Sequence, residues 1–223
     1  MAKSQDEAKK KIRDSMTPKK AGQFFLVGLL WLLFSIPVVT MGAATCAAFY
    51  VGIKILTDQS EVNVWKSFIK GIKDNFKQGL LMSLVSVITL GGAGFFDYWV
   101  VARSSQGIIL ILLAAGCSFT VIIFNLFAYP IIARYENTFS NGLKNAVALA
   151  FTYSKDTLKL SGFAILEIAV AAFLCYLNLY AGLISLLFWP SVVIYTVTWF
   201  MTVIFYRVEH PIKYDDNGDP IPE

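Results

Sequence analysis

The chain has 223 residues, of which 57% are hydrophobic and only 15% are charged, and its formal net charge at pH 7 is +4. Soluble domains carry about 25% charged residues, so this composition excludes an ordinary soluble domain of this length. Buried helices of a large soluble protein would still need polar faces, and the longest apolar runs contain no charged residue. The composition therefore predicts an integral membrane protein.

Four uncharged runs predict the membrane-spanning part of the chain. They hold 33, 19, 30 and 39 residues, at 21–53, 78–96, 104–133 and 168–206. Each reaches or exceeds the roughly 18 to 20 residues that cross a hydrocarbon core about 30 Å thick. The last run would be about 58 Å long as a single helix, so we expect it to turn, at 178–182.

A basic segment precedes the first run. Residues 1–20 contain seven of the 19 Lys and Arg residues. The apolar run that follows is longer than the roughly 7 to 15 residues of a signal-peptide core. We therefore expect 1–20 to be retained as a basic cytoplasmic N-terminal tail.

The first apolar segment, 21–57, contains a break. Pro37 deprives a helix of a hydrogen bond, Thr40 and Gly42 follow it, and the small residues up to Thr45 can restart a helix packed closely on the first. Two helices of about 17 residues would each be about 25 Å long, which is short for a crossing. The segment predicts a short or re-entrant hairpin.

The distribution of Lys and Arg favours this turn, because cytoplasmic loops carry the excess of positive charge. If the first segment crosses once, 8 of the 19 basic residues lie inside; if it turns around, 18 do. The chain is therefore predicted to be an all-α polytopic bundle of three membrane hairpins, with about six crossings and both termini cytoplasmic. The predicted hairpins are 21–57, 78–133 and 159–206, and the second turns in an outer loop at 97–106.

Two cytoplasmic amphipathic helices are predicted, over about 61–77 and 138–158. The first alternates apolar and basic faces with helical spacing. It would lie on anionic lipid headgroups, cap the bundle, or dock a partner. Trp65 belongs to its apolar face, and its basic face carries Lys66, Lys70, Lys73 and Lys77.

One ionisable residue, Glu167, is predicted near the middle of the membrane in the fifth crossing. An acidic residue there costs about 2.5–3.5 kcal/mol on insertion scales, so it should face protein. Its candidate partners in an intramembrane polar site are Asn125, Tyr195 and Thr198. Two interpretations stay open: a protonated carboxyl that joins helices by a hydrogen bond, or a polar point on a substrate or proton path.

The residue pattern provides no catalytic or metal-binding set. The single histidine, His210, and the three separated cysteines form no cluster with metal-ligand spacing. No glycine-rich phosphate loop follows a strand. We expect a protein that is not an enzyme, with no catalytic residue, no metal, no cofactor and no nucleic-acid partner.

The stretch LLWLLFSIPVVTMGAATCAAFYVGIKI, with the later FKQG, resembles the YesL-like family of bacterial multipass membrane proteins, a domain of unknown function. The resemblance covers about 23–205. Ala43 and Cys46 stand where the family commonly has Pro and Thr. The resemblance is carried by Pro37, Val38, Val39, Thr40, Gly42, Ala44 and Thr45.

The resemblance implies a context rather than a reaction, because genes of this family commonly lie beside carbohydrate ABC importers and polysaccharide-degrading enzymes. The leading hypothesis is a non-enzymatic accessory subunit of such an importer in the bacterial cell membrane, in contact with importer membrane subunits and anionic lipids. The alternative is a small transporter or channel formed by several copies of the chain. Residues 21–206 would form one membrane domain, and 207–223 a flexible cytoplasmic C-terminal tail.

Overall fold

A computed structural model gives the structure of the protein and describes residues 17–58, 61–102 and 108–210. Within these ranges the chain is all-helical, as the sequence predicts. The seven helices of the described residues are α1 (Pro18–Ser35), α2 (Met41–Thr57), α3 (Val64–Ala102), α4 (Ile108–Arg134), α5 (Phe139–Thr152), α6 (Ser154–Leu177) and α7 (Leu179–Glu209).

Four of these helices are long and apolar enough to cross a membrane. They are α3, α4, α6 and α7, and the apolar part of α7 begins at Gly182. Helix α2 is apolar but has only 17 residues, and α1 has 18 residues with Lys19 and Lys20 near its start. The apolar helices indicate a membrane protein. Its first two helices, α1 and α2, are shorter than the four long apolar helices.

The chain turns between α1 and α2. Pro37 cannot donate a backbone hydrogen bond, and a single 3-10 turn, Val38–Thr40, leads into α2. The Thr40 hydroxyl lies 2.5 Å from the carbonyl oxygen of Phe34 and 2.9 Å from that of Pro37, so it satisfies a carbonyl group that the end of α1 leaves free.

After this turn, α2 runs back along α1. The indole N–H of Trp31 donates to the Thr45 hydroxyl at 2.9 Å. Beyond the end of α2, the backbone carbonyl of Val62 accepts a hydrogen bond from the Gln23 side chain at 3.0 Å. The chain therefore returns to the end of the bundle at which α1 begins.

Helix α2 lies at the centre of the bundle. It packs against α1, α3, α4 and α7, and 12 of its 17 residues are buried. A helix that is apolar on every side either spans a membrane in contact with lipid or is buried in protein, and α2 is buried by its neighbouring helices. Its run of glycine, alanine and cysteine lets the neighbouring helices approach closely.

Helix α3 is one continuous helix of 39 residues, about 58 Å long. The sequence predicts an amphipathic helix over 61–77 and a separate crossing from about 78, whereas the structure has no boundary between them. Gly71 and Gly79 do not end the helix, because each lies against α2. A Cβ on Gly71 would lie 3.0 Å from the Cα of Ala47.

The buried face of α3 also differs from the predicted apolar face. Phe68 is fully buried and packs beside Phe34 of α1, with ring centroids 5.7 Å apart. Trp65, which lies on the predicted apolar face, is 53% exposed, and Phe76, 11 residues further along α3, is 42% exposed. Small residues such as Gly71 form much of the contact, and a count of large apolar side chains misses them.

Helices α3 and α4 pack against each other as a helical hairpin. The Gln78 side chain donates to the backbone carbonyl of Asn137 at 2.9 Å, and near the opposite end the Ser118 hydroxyl donates to the Asp97 carboxylate at 2.6 Å. Asp97 lies within α3, so the helix continues into the predicted outer loop at 97–106. Part of that loop lies outside the described residues.

Helices α6 and α7 also pack against each other as a helical hairpin. The predicted segment 138–158 is divided at Tyr153, where the backbone (φ −103°, ψ 39°) leaves the helical region, so α6 starts earlier than predicted. The break predicted at 178–182 is confirmed at Asn178. Its side chain accepts a hydrogen bond from the backbone N–H of Tyr180 at 2.9 Å and caps α7.

The buried core surrounds α2, and the two long hairpins extend away from it. Both hairpins pack on the α1–α2 pair, and the contact between them runs mainly through α4 and α7. Between 6% and 28% of the apolar stretches of α3, α4, α6 and α7 is buried within the chain. Most of their surface therefore faces outward.

Candidate functional site

Glu167 lies on α6 and is bonded to α7. Its carboxylate accepts a hydrogen bond from the Thr196 hydroxyl at 2.6 Å. None of the three predicted partners, Asn125, Tyr195 and Thr198, forms a hydrogen bond with it among the described residues. The four predicted residues therefore do not form a single site, although Glu167 does contact a protein side chain, that of Thr196.

The neighbours of Thr196 point elsewhere because successive helical residues are turned by about 100°. Tyr195 faces α1, where its ring meets the ring of Phe24 edge-on with centroids 5.2 Å apart. Thr198 is fully buried against α2, and its hydroxyl lies 2.7 Å from the position of a Cβ on Gly52. That hydroxyl has no hydrogen-bond partner among the described residues.

Asn125 belongs to a second polar cluster, between α3 and α4. Its side-chain oxygen lies 2.5 Å from the Ser86 hydroxyl, and the Tyr129 hydroxyl lies 2.9 Å from the same Ser86 oxygen. The Asn125 amide donates to the carbonyl of Val121 at 2.9 Å. Because Ser86 carries one proton, it can donate to Asn125 while accepting from Tyr129.

Ion pairs join the helix ends at the other side of the bundle. Arg134 at the end of α4 binds Glu209 at the end of α7 through two hydrogen bonds, of 2.9 and 2.8 Å. The Tyr135 hydroxyl donates to the same carboxylate at 3.0 Å. Burial, together with this hydrogen bond, raises the pKa of Tyr135 to about 12.

A more buried ion pair joins α6 to α7. Arg207 donates to the Asp156 carboxylate, and the exposed fractions of the two side chains are 8% and 12%. The guanidinium lies 5.8 Å from the centre of the Tyr153 ring, while its Nε and Nη2 have no partner among the described residues. Sequence reasoning missed both ion pairs, because residues 51 and 75 positions apart carry no pairing signal.

The predicted turn residues lie in and next to the reversal. Pro37 and Thr40 form it, whereas Gly42 and Thr45 lie inside α2. Gly42 is buried against Gly79 of α3, where a side chain would collide with the backbone. Gly42 therefore allows α2 and α3 to approach closely. It takes no part in the change of direction, which ends before α2 begins.

The basic face of α3 is exposed. Its first turn is capped by Asn63, whose side-chain oxygen accepts a hydrogen bond from the backbone N–H of Lys66 at 3.0 Å. None of its lysines forms an ion pair with another described residue. Binding of this face to lipid headgroups stays a prediction; the exposed lysines are Lys66, Lys70, Lys73 and Lys77.

Comparison with known proteins gives one match. A family model with the description "Protein of unknown function, DUF624" matches residues 24–98. This stretch includes most of α1, all of α2 and most of α3, which together form the central hairpin and the long helix on which it packs. No curated protein and no solved structure matches the chain.

Proposed function

We propose that the protein is a non-enzymatic multi-pass protein of the bacterial cell membrane that acts as an accessory subunit of a carbohydrate (oligosaccharide) ABC import system. The importer context comes from the resemblance to YesL-like proteins. The proposal also rests on one observation about the helices, which is the large apolar surface that the chain leaves uncovered.

This surface is largest on the four long helices. Only 17% of the apolar stretch of α3 is buried within the chain, 6% of α4, 11% of α6 and 28% of α7. Large side chains such as Leu112, Leu166 and Leu187 are exposed along α4, α6 and α7. In a bilayer such surfaces meet lipid or the helices of another membrane protein, so an importer membrane subunit has room to pack here.

Both termini are assigned to the cytoplasmic side, with the first hairpin either crossing twice or re-entering from that side. The basis is the excess of Lys and Arg in the corresponding loops. In a cysteine-free background, Asn141→Cys should resist an impermeant thiol reagent applied outside, whereas Ser105→Cys should react. The same protection is expected for Ser60→Cys; residues 60 and 105 lie outside the described residues. External labelling at position 141 or 60 would contradict the topology.

Site-specific photo-crosslinking in the native membrane tests the partner. A photoreactive residue at Leu112, Leu166 or Leu187 should capture an importer membrane subunit from at least one of the three faces. The same residue at Met82 or Met201, which are fully buried, is the matched control and should capture none. If no importer subunit is captured or co-purifies, and deletion leaves oligosaccharide uptake unchanged, the proposal fails.

A second candidate is a small oligomeric transporter or channel. The polar groups within the long hairpins favour it, namely Glu167 with Thr196 and Ser86 with Asn125, because polar groups at membrane depth commonly line transport paths. Vesicles reconstituted with the purified protein should then move a sugar or an ion, and Glu167→Gln should alter the rate. Vesicles that remain impermeable to every sugar and ion tested would count against this candidate.

A further inference from the structure

A cavity of about 320 Å³ opens between α6 and α7, beside the buried ion pair that joins these helices. Asp156 and Lys159 lie at its charged end, and Thr196 lies at its deeper end, where it binds Glu167. Eight residues separate Lys159 from Glu167, so the two differ by about 12 Å along α6.

Aromatic rings form the wall of this cavity. Phe163 packs on Phe200 with ring centroids 5.8 Å apart, and Trp199 meets Phe200 edge-on at 4.9 Å. Phe163 remains 50% exposed, so the wall is open on its outer side. Tyr195 also lines the cavity, and its hydroxyl forms no hydrogen bond that the described residues supply.

The charged end is positive. Asp156 is already paired with Arg207, whereas the ammonium of Lys159 forms no ion pair with another described residue. Lys155 precedes Lys159 by one turn and lies on the same side of α6. With Asp156 paired to Arg207, the charges of Lys159 and Lys155 have no ion-pair partner among the described residues, and the local charge favours an anion.

We propose that this cavity binds one anionic phospholipid. The order of groups from the charged end inward matches such a molecule: the phosphate lies by Lys159, and an acyl chain lies along Phe163 and Trp199. A free phosphate ion would use the lysine alone and leave the aromatic wall uncovered. A zwitterionic lipid such as phosphatidylcholine would also bring its own positively charged headgroup toward a site that is already positive.

Quenching of Trp199 fluorescence by brominated lipids tests the assignment. The protein is placed in nanodiscs that contain either brominated phosphatidylglycerol or brominated phosphatidylcholine, and the Trp199 signal is the difference between the wild type and Trp199→Phe. We expect an apparent affinity about fivefold higher for phosphatidylglycerol, the preference expected of one lysine near an anionic headgroup. Equal quenching by the two lipids would overturn the proposal.

Two lysine variants separate the site from general surface charge. Lys159→Gln should remove the preference for phosphatidylglycerol, whereas Lys144→Gln, at an exposed position of α5 outside the cavity, should retain it. A matching loss in both variants would show that only the overall charge matters, and would contradict the site. Added inorganic phosphate should leave the quenching unchanged; displacement by phosphate would identify an ion site instead.

A second measurement avoids the tryptophan substitution, in case Trp199→Phe does not fold. Native mass spectrometry of the wild type, Lys159→Gln and Lys144→Gln, each purified from membranes that contain both lipids, counts the retained phosphatidylglycerol. The proposal requires one retained molecule in the wild type and in Lys144→Gln, and its loss in Lys159→Gln. Retention of the lipid in Lys159→Gln at the wild-type level would refute it.

Discussion

Gly42 of α2 and Gly79 of α3 lie backbone against backbone. A Cβ on Gly42 would collide with the carbonyl oxygen of Gly79, and a Cβ on Gly79 would lie 2.7 Å from the Cα of Ala43. Real side-chain carbons do not approach so closely, and neither backbone can rotate away as a side chain would. The contact between α2 and α3 therefore requires glycine on both helices.

The first prediction concerns this contact. Gly42→Ala should lower the free energy of unfolding by about 1–3 kcal/mol, because the added methyl group must separate two packed helices. Thermal unfolding of the purified protein in detergent measures the effect. Gly116→Ala is the control: a Cβ there meets open space, and the change should be neutral or stabilising by up to about 1 kcal/mol. Equal melting of Gly42→Ala and the wild type would argue against the close contact.

The second prediction concerns the buried ion pair. Asp156→Asn should lower the free energy of unfolding by about 3–5 kcal/mol, since it leaves the Arg207 charge buried and uncompensated. Glu209→Gln breaks the Arg134 pair, whose side chains are 28% and 32% exposed, and should cost clearly less because water can solvate the remaining charge. Thermal unfolding of both variants provides the comparison, and a larger loss in Glu209→Gln would contradict it.

The third prediction concerns Glu167. Glu167→Gln should fold and express normally, because the amide oxygen can still accept the hydrogen bond of Thr196. Glu167→Leu removes the acceptor and Thr196→Val removes the donor, so each should weaken the packing of α6 on α7. A double-mutant cycle of these two changes should give a coupling of about 0.6 kcal/mol, and no more than about 1.7 kcal/mol.

The Glu167→Gln variant also separates the two interpretations of this residue. A purely structural carboxyl predicts unchanged uptake and complex formation at every pH, because only the titratable proton is lost. A residue on a proton or substrate path predicts loss of activity in a protein that still folds. Absence of coupling between Glu167 and Thr196 would show that their hydrogen bond does not stabilise the hairpin.

The fourth prediction concerns alkaline pH. The pKa of Tyr135 is raised to about 12 by burial and by its hydrogen bond to Glu209, so the folded protein disfavours the phenolate. The ordinary pKa of tyrosine is about 10, so the stabilisation is fully present below about pH 10 and is lost as the pH rises to about 12. The free energy of unfolding of Tyr135→Phe should therefore fall less steeply with pH than that of the wild type in this range.

Urea unfolding at a series of alkaline pH values measures that slope. Tyr176→Phe is the control, because this side chain is 87% exposed and the change should leave the slope unaltered. An unchanged slope in Tyr135→Phe would contradict the hydrogen-bonded environment of Tyr135.

The sequence by itself determined the helical membrane class and indicated two of the places where helices end, near Pro37 and at Asn178. These properties are local or add up along the chain. Long uncharged runs favour a bilayer because transfer free energies sum over the residues of a helix. Pro37 has no N–H wherever it stands, and Asn178 can cap the backbone two residues ahead of it without a distant partner.

Only the tertiary structure decided which residues meet. Glycine has the same local properties in a turn and in a helix contact, so the close approach of Gly42 to Gly79 follows only once α2 lies on α3. Glu167 has Thr196 as its partner because the register of α6 against α7 selects one face of α7. Such contacts depend on how whole helices pack together, and the local pattern around any one residue does not contain that information.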